Sequence, residues 1–477
     1  LLKEQSVSVE VSREVREWFG ETAEALRELR PRLGDGPASA EQRHALLAAL
    51  GNASSRYRDT MYRQEGFSGK APLSFQEINA MLEDALAAID HSIRNNVRDD
   101  SMYHAYNLLD LRPRAVEIER LYVMLEGQVA ALSSGAVGAT EAVELLESLF
   151  ESEMFRRDVN TFMLYPDRAL PSFLEKNQIP AEAFESIRLL NQLLEAGDDS
   201  IVLRDENGTF RFNADFANAR DLVAGLDALP PVYAEEARRA QQPLVELYEQ
   251  VFNHKAFTGR SGTMFGFEGL GSVHWHMVSK LLLAVQERFF AALDGGEDQS
   301  VRLRLGRLYY RVREGLGFNK TPLEFGAFPT DPYSNTPKHA GAQQPGMTGQ
   351  VKEEILSRFG ELGVRVRQGT VQLEVALLRN REFVASPQTF RFLDVEGQWQ
   401  ELRVPESGLA FTWCQVPFVY RLDDSAAPAV TVTLDDGGHL TSNGLPLPPE
   451  LSAELFQRSG RIRQIELVAR TSRLLPD

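Results

Sequence analysis

Leu362-Gly363-Val364-Arg365-Val366-Arg367-Gln368-Gly369-Thr370-Val371-Gln372-Leu373 is the stretch on which the fold turns. Val364 and Val366 alternate with arginines, and Val371, Leu373 and Val375 alternate with polar residues beyond Gln368-Gly369. A period of two sends successive side chains to opposite faces, as in a strand, and a helix has no use for it. The same alternation recurs downstream in Phe390 and Phe392, in Phe411 and Trp413, in Val430, Val432 and Leu434, and in Ile465 and Leu467. Turn residues separate these runs, so residues 363–477 read as a β-sandwich domain.

Upstream of Gly363 the period changes to that of a helix. Val11, Val15, Phe19, Ala23 and Leu26 recur at helical spacing, which predicts an amphipathic helix within residues 1–34. Ser39 caps the next helix, on which Leu46, Leu47 and Leu50 form the apolar side. Ser74 followed by Glu77 gives a capping box for a helix reaching about 95. Helices are expected at 114–133, 138–154, 214–227, 231–254, 273–293, 297–316 and 349–362, with Pro180 starting another. Residues 201–212 are the exception: Ile-Val-Leu-Arg, then Asn207-Gly208, then Phe-Arg-Phe predict a short hairpin. The fold class expected is therefore mainly α with a β C-terminal domain. Residues 1–362 form the helical domain, almost without strands.

The chain has 477 residues, 43% hydrophobic and 25% charged, which suits a soluble globular protein of several domains. A net charge of -17 argues against a nucleic-acid surface and for a neutral polar substrate. One cysteine, Cys414, excludes an intramolecular disulfide framework and a zinc-cysteine cluster. No apolar run approaches the ~20 residues that span a bilayer, and no signal peptide is visible. The cytoplasm is favoured. The opening Leu1-Leu2-Lys3, without methionine, also fits a piece of a longer protein whose targeting signal lies upstream.

Chemistry-bearing residues collect in segments dense in glycine and proline, above all in 258–350. That segment carries Arg260, Glu268, Lys320, Asp331, Tyr333, His339, Gln343 and Gln344 among aromatics, so it reads as an ordered wall of a site. Glu268 stands between glycines just before a helix, where partial burial would make it a general acid; a solvated loop carboxylate fits too. Asp331, in Phe-Pro-Thr-Asp-Pro-Tyr, is a candidate base or acceptor for a sugar hydroxyl, against an ordinary turn aspartate. Asp99, Asp100, Tyr103, His104 and Asn107 mix acids, amide and aromatics in the way that suits a sugar ring, although a capped helix start would need the same residues. His274 and His276, two apart on a helix, point to different faces and do not make a metal site. The helix start at Thr348 offers free N–H groups to an anion such as phosphate. No phosphate-loop, dinucleotide or nucleophile-elbow motif is present, and neither a metal nor a cofactor is expected.

Roughly a dozen helices followed by strands, joined through Gln343-Gln344-Pro345-Gly346-Met347-Thr348-Gly349-Gln350-Val351 and then the stretch that begins at Leu362, resemble the (α/α)6-toroid carbohydrate-active enzymes. Cellobiose-phosphorylase-like and glucoamylase-like families share that plan. The chain is also similar to a group of large uncharacterised bacterial proteins in which Gly317-Phe318-Asn319-Lys320-Thr321-Pro322 and the run from His339 to Gln350 recur. The resemblance implies an (α/α)6 toroid with a β-sandwich behind it and a cleft built from inter-helix loops. It also implies an oligosaccharide substrate. In a hydrolase, Glu268 would be the acid and Asp331 the base, about 6.5–9.5 Å apart if the enzyme inverts. Asp99, Asp100, Tyr103, His104, Asn107, Arg260, Trp275, Lys320, Tyr333, His339, Gln343 and Gln344 would bind sugar. In a phosphorylase, inorganic phosphate replaces water, held by His339, Lys320 and the Thr348 helix start. A non-catalytic carbohydrate-binding protein of the same fold is the third reading.

Overall fold

The structure is a computed structural model that describes residues 8–34, 36–64, 66–166, 171–254, 275–316, 348–442 and 446–477, with the backbone alone for 348–352. The chain opens with strand β1 (Ser8–Ser12), which pairs antiparallel with β2 (Lys70–Ser74). Between and after them run α1 (Arg13–Leu29), α2 (Ala40–Arg63) and α3 (Phe75–Arg94). Ser12, Ser39 and Ser74 cap these helices, and the last two form complete capping boxes with Gln42 and Glu77. A hairpin follows, β3 (Leu108–Arg112) and β4 (Ala115–Glu119), tied to α2 where Arg43 Nε donates to Val116 O at 2.8 Å.

Helices α4 (Leu125–Ser134) and α5 (Ala139–Glu151) begin the central core, and the two-residue strands β5 (Phe155–Arg156) and β6 (Thr161–Phe162) close it off. Next come the short α6 (Phe173–Lys176) and α7 (Ala181–Ser186), then α8 (Arg188–Ala196), the hairpin β7 (Val202–Arg204) and β8 (Phe210–Phe212), α9 (Ala219–Asp227) and α10 (Ala234–Phe252). The hairpin expected at 201–212 forms; Gly208 takes φ +86° in a turn where Asp205 Oδ1 accepts from Asn207 N and Thr209 N. The core resumes with α11 (Trp275–Asp294), α12 (Gln299–Glu314) and α13 (Thr348–Glu361). The helices do not share one interior. Leu145, Leu149, Phe150, Leu281, Val285, Leu305 and Tyr309 belong to the central core, whereas Phe184, Leu190, Leu193, Phe212, Leu244 and Tyr248 form a separate one within 171–254.

The part up to α13 is mainly helical and the part after it strand-rich, but the expectation of a helical part almost free of strands is corrected by the pair β1–β2 and the hairpins β3–β4 and β5–β6, besides the expected β7–β8. Residues 108–119 show why. Leu109, Leu111, Val116 and Ile118 alternate around Pro113, which cannot donate in a helix, so 108–112 pairs with 115–119 as β3–β4 and the helix expected from 114 begins only at Leu125. After Glu361 the chain turns at Gly363, whose φ is +79° and whose missing side chain lets Glu374 carbonyl oxygen approach. Then come β9 (Val364–Arg367), β10 (Thr370–Leu373), β11 (Gln388–Leu393), β12 (Trp399–Val404), β13 (Gly408–Trp413), β14 (Val416–Leu422), β15 (Ala429–Leu434), β16 (His439–Ser442), helix α14 (Pro449–Gln457) and β17 (Ile462–Ala469). Five strands make one sheet in the order β13-β14-β17-β15-β16, with β14 and β17 parallel and the other pairs antiparallel. β9–β10 and β11–β12 are separate hairpins. Val371 and Leu373 of β10 and Leu451 and Leu455 of α14 share a core with Phe418, Val432 and Ile465 of the sheet. Leu377 and Leu475 leave that part of the chain and enter the central helical core.

Candidate active site

The central helices have one end of short turns and one end of long connections. Residues 135–138 join α4 to α5, and 295–298 join α11 to α12, so each pair is antiparallel. Arg365 meets Asp294 at 2.6 Å and Gln286 meets Ser357 O at 2.7 Å, so α13 runs alongside α11 and points towards the short-turn end, its last turn reaching about the middle of α11. At the opposite end the polar loops gather. Leu125 N donates to Leu164 O at 3.0 Å, which puts the start of α4 against the 152–166 loop. A Cβ on Gly315 would stand 2.7 Å from Asn160 O, which puts the end of α12 there too. Arg311 stacks 3.8 Å over the Phe150 ring and fixes the end of α5 beside them. The stretch 95–107 joins this end through Gly127, whose Cβ would lie 2.6 Å from Ala105 Cβ. Trp275, the first residue of α11, opens at the same end, because α11 and α12 form a hairpin.

Of the residues singled out in sequence, Asp99, Asp100, Tyr103, His104, Asn107 and Trp275 are described. Arg260, Glu268, Lys320, Asp331, Tyr333, His339, Gln343 and Gln344 lie outside the described residues. Asp99 is exposed. Asp100 pairs with Arg98 at 2.9 Å and accepts from Met102 N; the Arg98 hydrogen bond leads the causes that hold its carboxyl below the ordinary range. Tyr103 is 7% exposed and Trp275 2%, so both side chains stand in the core rather than on a cleft wall. Burial raises the Tyr103 phenol, and the Glu141 charge adds to it.

The backbone of Tyr103 is gripped by Gln128, itself buried. Gln128 Oε1 accepts from Tyr103 N at 2.8 Å, and Nε2 donates to Tyr103 O at 2.9 Å and to Met124 O at 3.0 Å. His104 N donates to Asn96 O at 2.8 Å, and Asn107 Nδ2 donates to Asn96 Oδ1 at 2.9 Å. His104 Nδ1 and Asn107 Oδ1 are buried without a hydrogen-bond partner, while the backbone is left-handed at Ser101 (φ 62°) and Tyr106 (φ 54°). Burial, with Arg120 and Arg98 adding to it, pulls the His104 imidazole below its ordinary value. A neutral imidazole and an amide with unused hydrogen-bonding capacity can take the hydroxyls of a neutral ligand.

Sequence reasoning missed a second polar group, at mid-height between α11, α12 and α13. Glu361 is 1% exposed. Its Oε1 accepts from Tyr309 OH at 2.7 Å and lies 2.6 Å from Arg313 Nε, and its Oε2 lies 2.6 Å from Arg358 Nη1. Arg358 also reaches Glu382 Oε2 at 2.9 Å. Gln286 Nε2 donates to Tyr309 OH and to Ser357 O at 3.2 and 2.7 Å. Burial first, then the Glu361 charge, raises the Tyr309 phenol well above its ordinary value, so it stays a donor. With both oxygens engaged, Glu361 is an anchor rather than a proton donor or nucleophile. Beside it opens a cavity of about 310 Å³ lined by Leu282, Arg313, Leu316, Glu354, Ile355, Ser357, Arg358 and Glu361. Nothing local marks Ser357, Arg358 or Glu361 in sequence, since charged residues dot every helix of the chain. No cluster of three histidine, cysteine or acidic side chains suited to a metal occurs among the described residues, and no helix among them is long and apolar enough to cross a membrane.

Residues 171–254 hold a self-contained core. Its first and last aromatic residues meet, Phe173 stacking on Phe252 at 5.8 Å between ring centroids, so the module leaves and re-enters the chain at one place. Residues 170–255 match the family model described as GH149 phosphorylase insertion domain 2. The curated proteins contain no match to the chain. The insertion-domain match supports a likeness to carbohydrate-active enzymes and, among them, to glycoside phosphorylases.

Proposed function

We propose that this chain serves a glycoside phosphorylase, which cleaves a glycosidic bond of an oligosaccharide by transferring the glycosyl group to inorganic phosphate. The observation that carries the reading is the match of the insertion domain to a phosphorylase family, at boundaries that coincide with a separate core. It favours the phosphorolytic alternative over simple hydrolysis. In this reading α4, α5, α11, α12 and α13 belong to an (α/α)6-type toroid within residues 1–362. Residues 363–477 are a sandwich-type domain, with β9–β10 and α14 covering the five-stranded sheet. The reaction takes place at the end where the long connections gather. A phosphate oxygen bonds to the anomeric carbon, the glycosidic C–O bond breaks, and the leaving oxygen takes a proton from Glu268. His339, Lys320 and the start of α13 hold the phosphate. With phosphate in place of water no base is required, and Asp331 accepts from sugar hydroxyls. His104 and Asn107 contact the sugar directly, joined by Asp99, Asp100, Arg260, Tyr333, Gln343 and Gln344. Tyr103 and Trp275 support that wall from the core.

The test is to incubate the protein with neutral oligosaccharides, with and without inorganic phosphate, and follow the phosphorus NMR spectrum. A new sugar phosphate that appears only when both substrates are present is the expected result; free reducing sugar at equal rates without phosphate would point to hydrolysis instead. Glu268→Gln should then lower turnover by ~10²–10⁴-fold on unactivated glycosides, because general acid catalysis contributes about that much. The loss should fall on turnover rather than binding, since protonating the leaving oxygen belongs to the transition state. A saccharide with a good leaving group should suffer far less, and equal small losses on both substrate types would remove Glu268 from the role.

A further inference from the structure

A cavity of about 310 Å³ opens between α11, α12 and α13. Its charged lining is two guanidiniums, Arg313 and Arg358, and two carboxylates, Glu354 and Glu361, so the formal charges cancel. Both arginines already make 2.6 Å contacts with Glu361. A seat that holds an anion by its side chains needs unpaired positive charge, and a phosphate here would face two carboxylates at short range. Ser357 also lines the cavity; it is 1% exposed and its Oγ has no hydrogen-bond partner. A hydroxyl gives one hydrogen bond and accepts others, which matches another hydroxyl. Leu282, Leu316 and Ile355 supply an apolar wall. The volume, about 310 Å³, stands at the lower end of the range for small-molecule pockets, about 300–1,000 Å³. We infer that this cavity seats one neutral sugar unit of the oligosaccharide and not the phosphate. Ser357 Oγ exchanges hydrogen bonds with a ring hydroxyl, and the sugar's C–H face lies against the apolar wall. The identity of the ligand rests on the phosphorylase reading; the charge balance and the unpartnered hydroxyl do not.

The experiment is calorimetric titration of the full chain with a panel of neutral di- and trisaccharides and, separately, with inorganic phosphate. It compares wild type with Ser357→Ala and Ser357→Leu. Removing a hydroxyl that has no partner in the free protein should leave the melting temperature unchanged or slightly higher, yet raise the saccharide Kd by roughly threefold to tenfold, the worth of one neutral hydrogen bond. Ser357→Leu fills the cavity and should abolish saccharide binding. The phosphate Kd should stay the same in both variants. A wild type that binds none of the saccharides, saccharide affinity unmoved in both variants, or phosphate affinity that falls in Ser357→Ala would each overturn the assignment. If saccharide binding depends on Ser357 as described but no sugar phosphate forms, the reaction proposed above falls and the seat stands. Phosphorolysis at full rate in both variants overturns the seat and leaves the reaction.

Discussion

His104 shows how a single side chain acquires chemistry from its surroundings. Gln128 holds the neighbouring backbone in place of a strand partner, Asn96 fixes the main chain of His104, and Arg98 and Arg120 stand near enough to oppose a proton on the ring. Burial is the largest of these causes, and all but the Asp100 charge act in the same direction. The imidazole should therefore titrate below 6.5, the ordinary value. The sign for stability follows. The unfolded chain takes up a proton near pH 6.5 while the folded chain refuses it, so the contribution of His104 is complete above that pH and is lost as pH falls through the folded value. Proton NMR of the His104 Cε1 resonance against pH measures this directly. A midpoint at or above 6.5 would show that the ring is solvated or paired with an acid. Mutating Gln128 to Met tests the clamp on the same signal, since it leaves Tyr103 N–H and C=O without their partner.

At the scale of elements, the contact of α13 with α11 depends on an absent side chain. A Cβ on Gly360 would run into the Gln286 side-chain amide, which is donating to Ser357 O and Tyr309 OH. Gly360→Ala must push that amide aside or move the helix, and overpacking of this kind costs about 1–3 kcal/mol. The expected result is a lower melting temperature together with weaker saccharide binding, because Ser357 and Arg358 ride on α13. An unchanged melting temperature would show that α13 is not seated as described. The elements were legible where local chemistry decides them. Ser39, and Ser74 with Glu77, announced α2 and α3, and Asn207-Gly208 announced β7–β8. They were illegible where tertiary contacts decide. β14, buried from Val416 to Tyr420 between β13 and β17, lacks the alternation of a half-solvated strand. β4 hides within the helix expected at 114–133, because Ala115 to Glu119 is too short to show its own period. The site divided in the same way. Asp99–Asn107 was visible as a cluster of rare neighbours in sequence, whereas Gln286, Tyr309, Ser357 and Glu361 come from three helices and meet only after folding.

The whole molecule is organised by which segments share an interior, and sequence periodicity cannot tell one amphipathic helix's partner from another's. Helices α7 to α10 carry the same pattern as those of the central core, yet Leu190, Leu193, Leu222, Leu244 and Tyr248 belong to a core whose described members all come from 179–252. The opposite holds for the strand-rich part: Leu377 and Leu475 lie in the helical core, Tyr310 OH donates to Leu377 O at 2.9 Å, and Leu475 fills the space over Gly306, where a Cβ would meet it at 2.5 Å. These two arrangements predict opposite outcomes for two deletions. The module at 171–254 has a core of its own, and its ends are brought together by the Phe173–Phe252 stack. Expressed alone, residues 171–254 should fold cooperatively, and a chain in which they are replaced by a short flexible linker should keep nearly the same melting temperature for its remaining core. Removing 363–477 instead strips Leu377 and Leu475 from the central core and takes away the acceptor and the cover of Tyr310, so the helical part should lose its cooperative transition. Circular dichroism melts of the three proteins decide the matter. A fragment of 171–254 that stays unfolded would show that its core needs the rest of the chain. A stable helical part without 363–477 would show that the two leucines and the Tyr310 hydrogen bond are incidental.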